Sequence, residues 1–180
     1  MKVGILRIGQ VENQALSHVK ENLPKIFPKT ECEIIPKTIP IPEKSYNSVR
    51  RQYHSSIILA EVRKLSEKTT YNRVLGITEV DLYVPQLNFV FGQAECLGKA
   101  ALISLFRLKP EFYGQKPDMK LFLERTLKEA VHELGHTLGM SHCKNPHCVM
   151  FFSNSILDTD RKGATFCKEC QKIIERKIRG

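Results

Sequence analysis

The run His132-Glu133-Leu134-Gly135-His136 places two imidazoles and a carboxylate within five residues. On a helix, residues four apart lie about 40° apart around the axis, so His132 and His136 project from one face. His142 cannot join them by staying on the helix and must return from a bend. Gly139 stands where a left-handed backbone turn ends a helix at little steric cost. Three neutral imidazoles converging in this way make an open tripod for zinc, with one position left for water. Glu133, about 100° from His132, is close enough to hold that water without being a ligand. Zinc lowers the pKa of such a water, and Glu133 is the base to accept its proton as hydroxide attacks a carbonyl.

HExxH alone is a weak signal, because solvated helices often carry both residue types. Here it extends to HExxHxxGxxH, which demands Gly139 and His142 at two further fixed positions. A second ligand set overlaps the first. Cys143 follows His142 directly, Cys148 comes five positions later, and Cys167-Lys168-Glu169-Cys170 closes the set. Two chelating loops of this spacing supply four thiolates to a closed zinc site. Single cysteines are commonly small buried hydrophobes, but four at chelating intervals in a charged, turn-rich stretch are not explained that way. His147 lies inside the first loop and is expected to be a neighbour rather than a ligand. Cys32 and Cys96 have no chelating partner in sequence and are expected to be reduced and buried. His18 and His54, on expected surface helices, are assigned nothing.

These residues need a scaffold. Residues 2–8 form a short apolar run that reads as a buried strand, and 12–27 carry Leu16, Val19, Leu23 and Ile26 at helical spacing. Residues 31–41 are strand-like, with Pro36, Pro40 and Pro42 pushing the latter half towards an edge or an extended loop. A second amphipathic helix is expected over 52–67, then strands over 73–78, 88–94 and 99–108. This order implies a mostly parallel α/β sheet with packed helices; the last two strands are joined too briefly for a parallel crossover and should pair antiparallel. The helix that bears the histidines is expected over 118–140. Asp118 is its N-cap, and its buried stripe runs Leu123, Leu127, Ala130, Val131, Leu134 and Leu138.

The chain of 180 residues, 42% hydrophobic and 26% charged, has the composition of a soluble globular domain. No apolar run approaches the roughly 18–20 residues that span a bilayer, and Arg7 interrupts the first one, so neither a membrane anchor nor a secretory segment is expected. The default compartment is the cytoplasm, which also argues against disulfides. The formal net charge of +9 is read as solubility rather than as a binding property. It is nevertheless uneven: residues 161–180 hold seven Lys/Arg against Glu169 and Glu175.

The run HExxHxxGxxH, an immediate Cys143 opening CxxxxC, then Val149-Met150 and the later CxxC together resemble the archaemetzincin (archaelysin) family of metzincin metallopeptidases. The motif covers residues 131–170, about a fifth of the chain. The resemblance implies a metzincin-like fold, with His132, His136 and His142 binding catalytic zinc and Glu133 as general base. It further implies a structural zinc on Cys143, Cys148, Cys167 and Cys170, hence two Zn²⁺ per chain, with Met150 as the Met-turn residue beneath the site. Some metzincins place a Tyr two residues after that Met; here the position is Phe152, so the donors that meet transition-state charge are not identified by the motif. By the same analogy, residues 88–94 should offer an edge to which an extended peptide adds as a strand.

The expectation is one peptidase domain. Its lobe 1–139 would end in the active-site helix, and a small zinc-stapled lobe would span 140–180. Its partner is a peptide or protein substrate, with no membrane contact and a monomeric state. Two alternatives stand beside it: a DNA-associated metalloprotease that uses the basic tail, and a non-catalytic four-cysteine module that binds nucleic acid or protein.

Overall fold

A computed structural model describes residues 1–179; Gly180, the end of the basic tail, lies outside the described residues. Strands β1 (Lys2–Ile8), β2 (Glu31–Ile39), β5 (Arg73–Thr78), β7 (Gly92–Ala94) and β8 (Ala100–Ser104) form one sheet in the order β2-β1-β5-β8-β7. The first four run parallel and β7 pairs antiparallel with β8. The expected mixed, mostly parallel α/β sheet is therefore present.

Period-2 alternation sorts the side chains between two cores. Ile5, Leu75 and Ala101, neighbours across three strands, face helices α1 (Asn13–Ile26) and α3 (Met119–Thr137). Leu6, Ile8, Val74 and Leu102 face α2 (Ser55–Ser66) on the other side. Apolar residues on both faces are what central parallel strands covered by helices require.

The strand β2 continues through Pro36 to Ile39 as an edge strand, one of the two expected outcomes; it pairs only with β1, and an edge tolerates a missing N–H. Three other elements differ from the sequence expectation, each for a local reason. The region 52–67 is not all helix. Gln52–His54 form β4, the centre of a small second sheet with β3 (Tyr46–Asn47) and β6 (Leu82–Tyr83), so His54 is not helical. Residues 88–91 form no continuous strand, Val90 making only an isolated antiparallel bridge to Leu82: the Leu87 and Asn88 carbonyls accept from the Arg50 guanidinium at 2.8 and 3.0 Å, and Asn88 O also accepts from Gln52 Nε2. Those carbonyls are taken by side chains instead of a partner strand. Finally, β8 stops at Ser104, whose hydroxyl accepts the Phe106 N–H at 3.1 Å and turns the chain into a 3₁₀ segment, Phe106–Leu108.

The α3 helix starts as expected, with the Asp118 side chain accepting the Leu121 N–H at 2.9 Å, but ends at Thr137 rather than Met140. Gly139, at φ +77°, closes it. Its N–H reaches His136 O at 2.8 Å and the Met140 N–H reaches Gly135 O at 3.0 Å, the paired bonds of a Schellman cap. The chain then winds through irregular turns to α4 (Ile156–Arg161) and α5 (Lys168–Arg179). Phe166 packs edge-on against Phe27 of the α1 end, ring centroids 5.5 Å apart, so the C-terminal segment shares the α1/α3 core. No helix among the described residues is long and apolar enough to cross a membrane.

Candidate active site and metal centres

The last two turns of α3 carry His132, Glu133 and His136, and the Gly139 reversal swings His142 back towards them. The Nε2 atoms of His132 and His136 are 3.1 Å apart, and those of His136 and His142 are 3.2 Å apart. His132 Nδ1 lies 2.8 Å from Val149 O, and His136 Nδ1 lies 2.7 Å from Met140 O. Only a protonated Nδ1 can satisfy those carbonyls, which assigns the tautomer and leaves Nε2 of both rings as lone-pair acceptors. Facing lone pairs at this distance repel unless a cation lies between them. Tetrahedral zinc with Zn–N of about 2.0–2.1 Å would separate its nitrogens by roughly 3.3 Å, so the donor set fits. Burial lowers the proton affinity of all three imidazoles, most strongly for His132, and favours the neutral ligand form.

Glu133 is 6% exposed and does not belong to the clustered ligand atoms. Burial first, and then the neighbouring Glu129 carboxylate, pushes it up to about 8. It lines a narrow cleft with Phe89, Val90, Phe91, Gly92 and His132, beneath the sheet edge at β7. A Cβ on Gly92 would fall 2.6 Å from Glu133 Cγ, so the edge strand and this carboxylate are as close as a glycine allows. The larger cavity, about 600 Å³ between β2 and α2, holds only lysines and Glu61 as charged groups and none of the clustered ligands.

The sulfur atoms of Cys143, Cys148, Cys167 and Cys170 form the second cluster, all within 4.8 Å of one another. Cys143 Sγ and Cys167 Sγ are 3.9 Å apart. Tetrahedral Zn–S bonds of about 2.3 Å would give sulfur separations of roughly 3.8 Å, so this set also fits. The Cys167 thiol is drawn down to about 7, foremost by the Cys170 N–H. That favours the thiolate at Cys167, whereas burial pushes the Cys148 and Cys170 thiols up. The two clusters are joined through the backbone. Val149, next to Cys148, gives its carbonyl to His132, and the Cys143 N–H binds Met150 O at 2.9 Å. Met150 is fully buried, and a Cβ on Gly135 would meet its Sδ at 2.5 Å, so the HExxH glycine is the seat of that methionine.

Among the remaining sequence expectations, His147 is exposed and outside the cysteine cluster. Cys32 is half-buried, its thiol pushed up to about 12 by burial. Cys96 is exposed, not buried: it sits in the turn between β7 and β8, where a short antiparallel connection leaves no room for a core. Phe152 packs against the His142 ring, centroids 4.9 Å apart and the planes tilted by 54°, and brings no polar group to the cleft. Sequence reasoning missed Glu129 and Lys162, a buried ion pair at 2.9 Å beside the site. Glu129, one helical turn before Glu133, was visible as a signal; Lys162 looked like one more charge of the basic tail.

A family model described as peptidase family M54 matches residues 13–176. The archaemetzincin of Methanocaldococcus jannaschii is 47% identical over 175 residues, covering 97% of this chain and 93% of that protein. The crystal structure of archaemetzincin from Methanopyrus kandleri superposes with a TM-score of 0.89 at 38% identity, covering 100% of this chain and 96% of that one. That of a zinc-dependent peptidase from Methanocorpusculum labreanum gives 0.85 at 28% identity, covering 96% and 99%.

Proposed function

The chain belongs to peptidase family M54, the archaemetzincins, and is a zinc metallopeptidase; from that premise we propose that it cleaves peptide bonds by a Glu133-assisted attack of water. His132, His136 and His142 would hold the catalytic zinc, and Cys143, Cys148, Cys167 and Cys170 a second, structural one, within a single domain whose two lobes meet at Gly139. Zinc, when bound, supplies Lewis acidity that polarises a carbonyl and makes water more acidic.

The protein's own groups do the rest. A substrate in extended conformation lies along the free edge of β7 and pairs with its backbone, which brings one peptide carbonyl over the histidine cluster. A Glu133 carboxylate oxygen takes a proton from the attacking water as the new C–O bond forms. It then delivers that proton to the departing amine as the C–N bond breaks. The dry surroundings of Glu133 strengthen both transfers by excluding competing solvent. The Val149 and Met140 carbonyls orient His132 and His136, and Met150 fills the floor beneath Gly135.

The facing Nε2 lone pairs of His132 and His136 are the observation that carries the ligand assignment. The test is His136→Ala, with zinc counted per chain and hydrolysis of a peptide library measured. The variant should lose one zinc and all hydrolysis while keeping the thiolate-bound ion; an unchanged zinc count would refute the ligand set.

A further inference from the structure

The buried ion pair beside the histidines has no part in the steps above. Lys162, the residue after α4, is fully buried at the side chain, with its ammonium 2.9 Å from Glu129 Oε1. Glu129 also accepts the Thr159 hydroxyl at 3.0 Å. The lysine nitrogen makes no well-directed hydrogen bond to a described atom, so the pairing is chiefly one of charge. Glu129 stands three residues before His132 and four before Glu133, hence on their side of α3, and it lines the same cleft.

An ionised Glu129 alone would place an uncompensated buried anion beside the cation site. Charges in such a dry region are weakly screened, so they act on a bound metal without touching it. We infer that Lys162 is the built-in countercation of the catalytic centre: by pairing with Glu129 it cancels that carboxylate's pull on a metal held by His132, His136 and His142. The site then holds its zinc less tightly than the charges of α3 alone would dictate. The lobe attachment does not depend on this pair, because Arg125 binds Asp160 bidentately at 2.7 and 2.8 Å on the same α3–α4 interface. This inference rests on the three-histidine ligand set proposed above.

The experiment measures zinc affinity of the histidine site by competition with a chromophoric chelator, the cysteine site being filled throughout. Lys162→Met should bind zinc about tenfold or more tighter, and Glu129→Gln about tenfold or more weaker. The double variant, which again has no net charge, should return to within about threefold of the parent. A pair that merely clasps α3 to α4 would weaken zinc in both single variants, and that outcome overturns the inference, as does equal affinity in all four proteins. A lone buried carboxylate is costly; if Lys162→Met does not fold, Lys162→Gln retains a donor for Glu129 and must show the same tightening. His136→Ala, run in the same titration, separates the two readings. If it leaves the chelator-competed zinc in place, the ligand set itself is wrong. If it abolishes that zinc while the charge variants do not split by sign, only the countercation falls.

Discussion

At the scale of single residues, the proposed division of labour is between the three histidines as ligands and Glu133, next to one of them, as base. Glu133→Gln keeps the shape of the side chain and removes its basicity. Because Glu133 stands outside the ligand cluster, the variant should keep its full zinc content and lose about 10²- to 10⁴-fold in kcat. Peptide turnover at the parent rate, with metal content confirmed, would show that another group accepts the proton. Gly139 makes a different kind of contribution. Its φ of +77° is a conformation that a Cβ disfavours, at a cost of roughly 1 kcal/mol in stability. Gly139→Ala should lower the melting temperature and, more tellingly, weaken catalytic zinc binding, since the turn delivers His142. Chelator competition that finds parent affinity in this variant would mean that His142 is placed by its own contacts and not by the cap.

At the scale of elements, the cysteine cluster and the histidine cluster share a short backbone segment. Cys148 is adjacent to Val149, whose carbonyl orients His132, while Cys143 is adjacent to His142 and its N–H binds Met150 O. Cys167 and Cys170 come from the start of α5 and its approach, so the closed thiolate site would pin that helix against the turn beneath the histidines. Structural zinc in small modules is worth about 10–16 kcal/mol of apparent binding free energy, comparable to the net stability of a domain. Cys170→Ser should therefore loosen the segment after Gly139, weaken zinc at the histidines and abolish hydrolysis, while the five-stranded sheet stays folded. Hydrogen exchange read alongside zinc affinity decides this: protected β1 and β5 amides with deprotected residues 140–170 is the expected pattern. Parent affinity at the histidines would show the two sites to be independent.

Across the whole molecule, legibility in the sequence followed the range of the forces involved. The strands Lys2–Ile8 and Arg73–Thr78 matched their expected bounds, because central strands buried on both faces must be apolar over most of their length. The histidine and cysteine sets were readable because chelation fixes ligand type and spacing within a few residues. What was hidden depended on contacts distant in sequence. The two-residue strand Tyr46–Asn47 leaves no period, the loop before β7 is shaped by Arg50 from 37 positions away, and Lys162 meets Glu129 only through the turns and α4 that follow α3. The molecule that results has two candidate ligand sets of different exposure, three histidines at a cleft and four clustered sulfurs. The most direct test of that account is graded metal removal from the intact protein, with zinc per chain, far-UV circular dichroism and peptide hydrolysis followed together. The account predicts two zinc ions: the first to leave takes all hydrolysis with it at unchanged secondary structure, one equivalent of zinc restores activity, and only loss of the second disturbs the fold. Hydrolysis that persists after the first zinc has gone, or a saturated protein that holds a single ion, would contradict it.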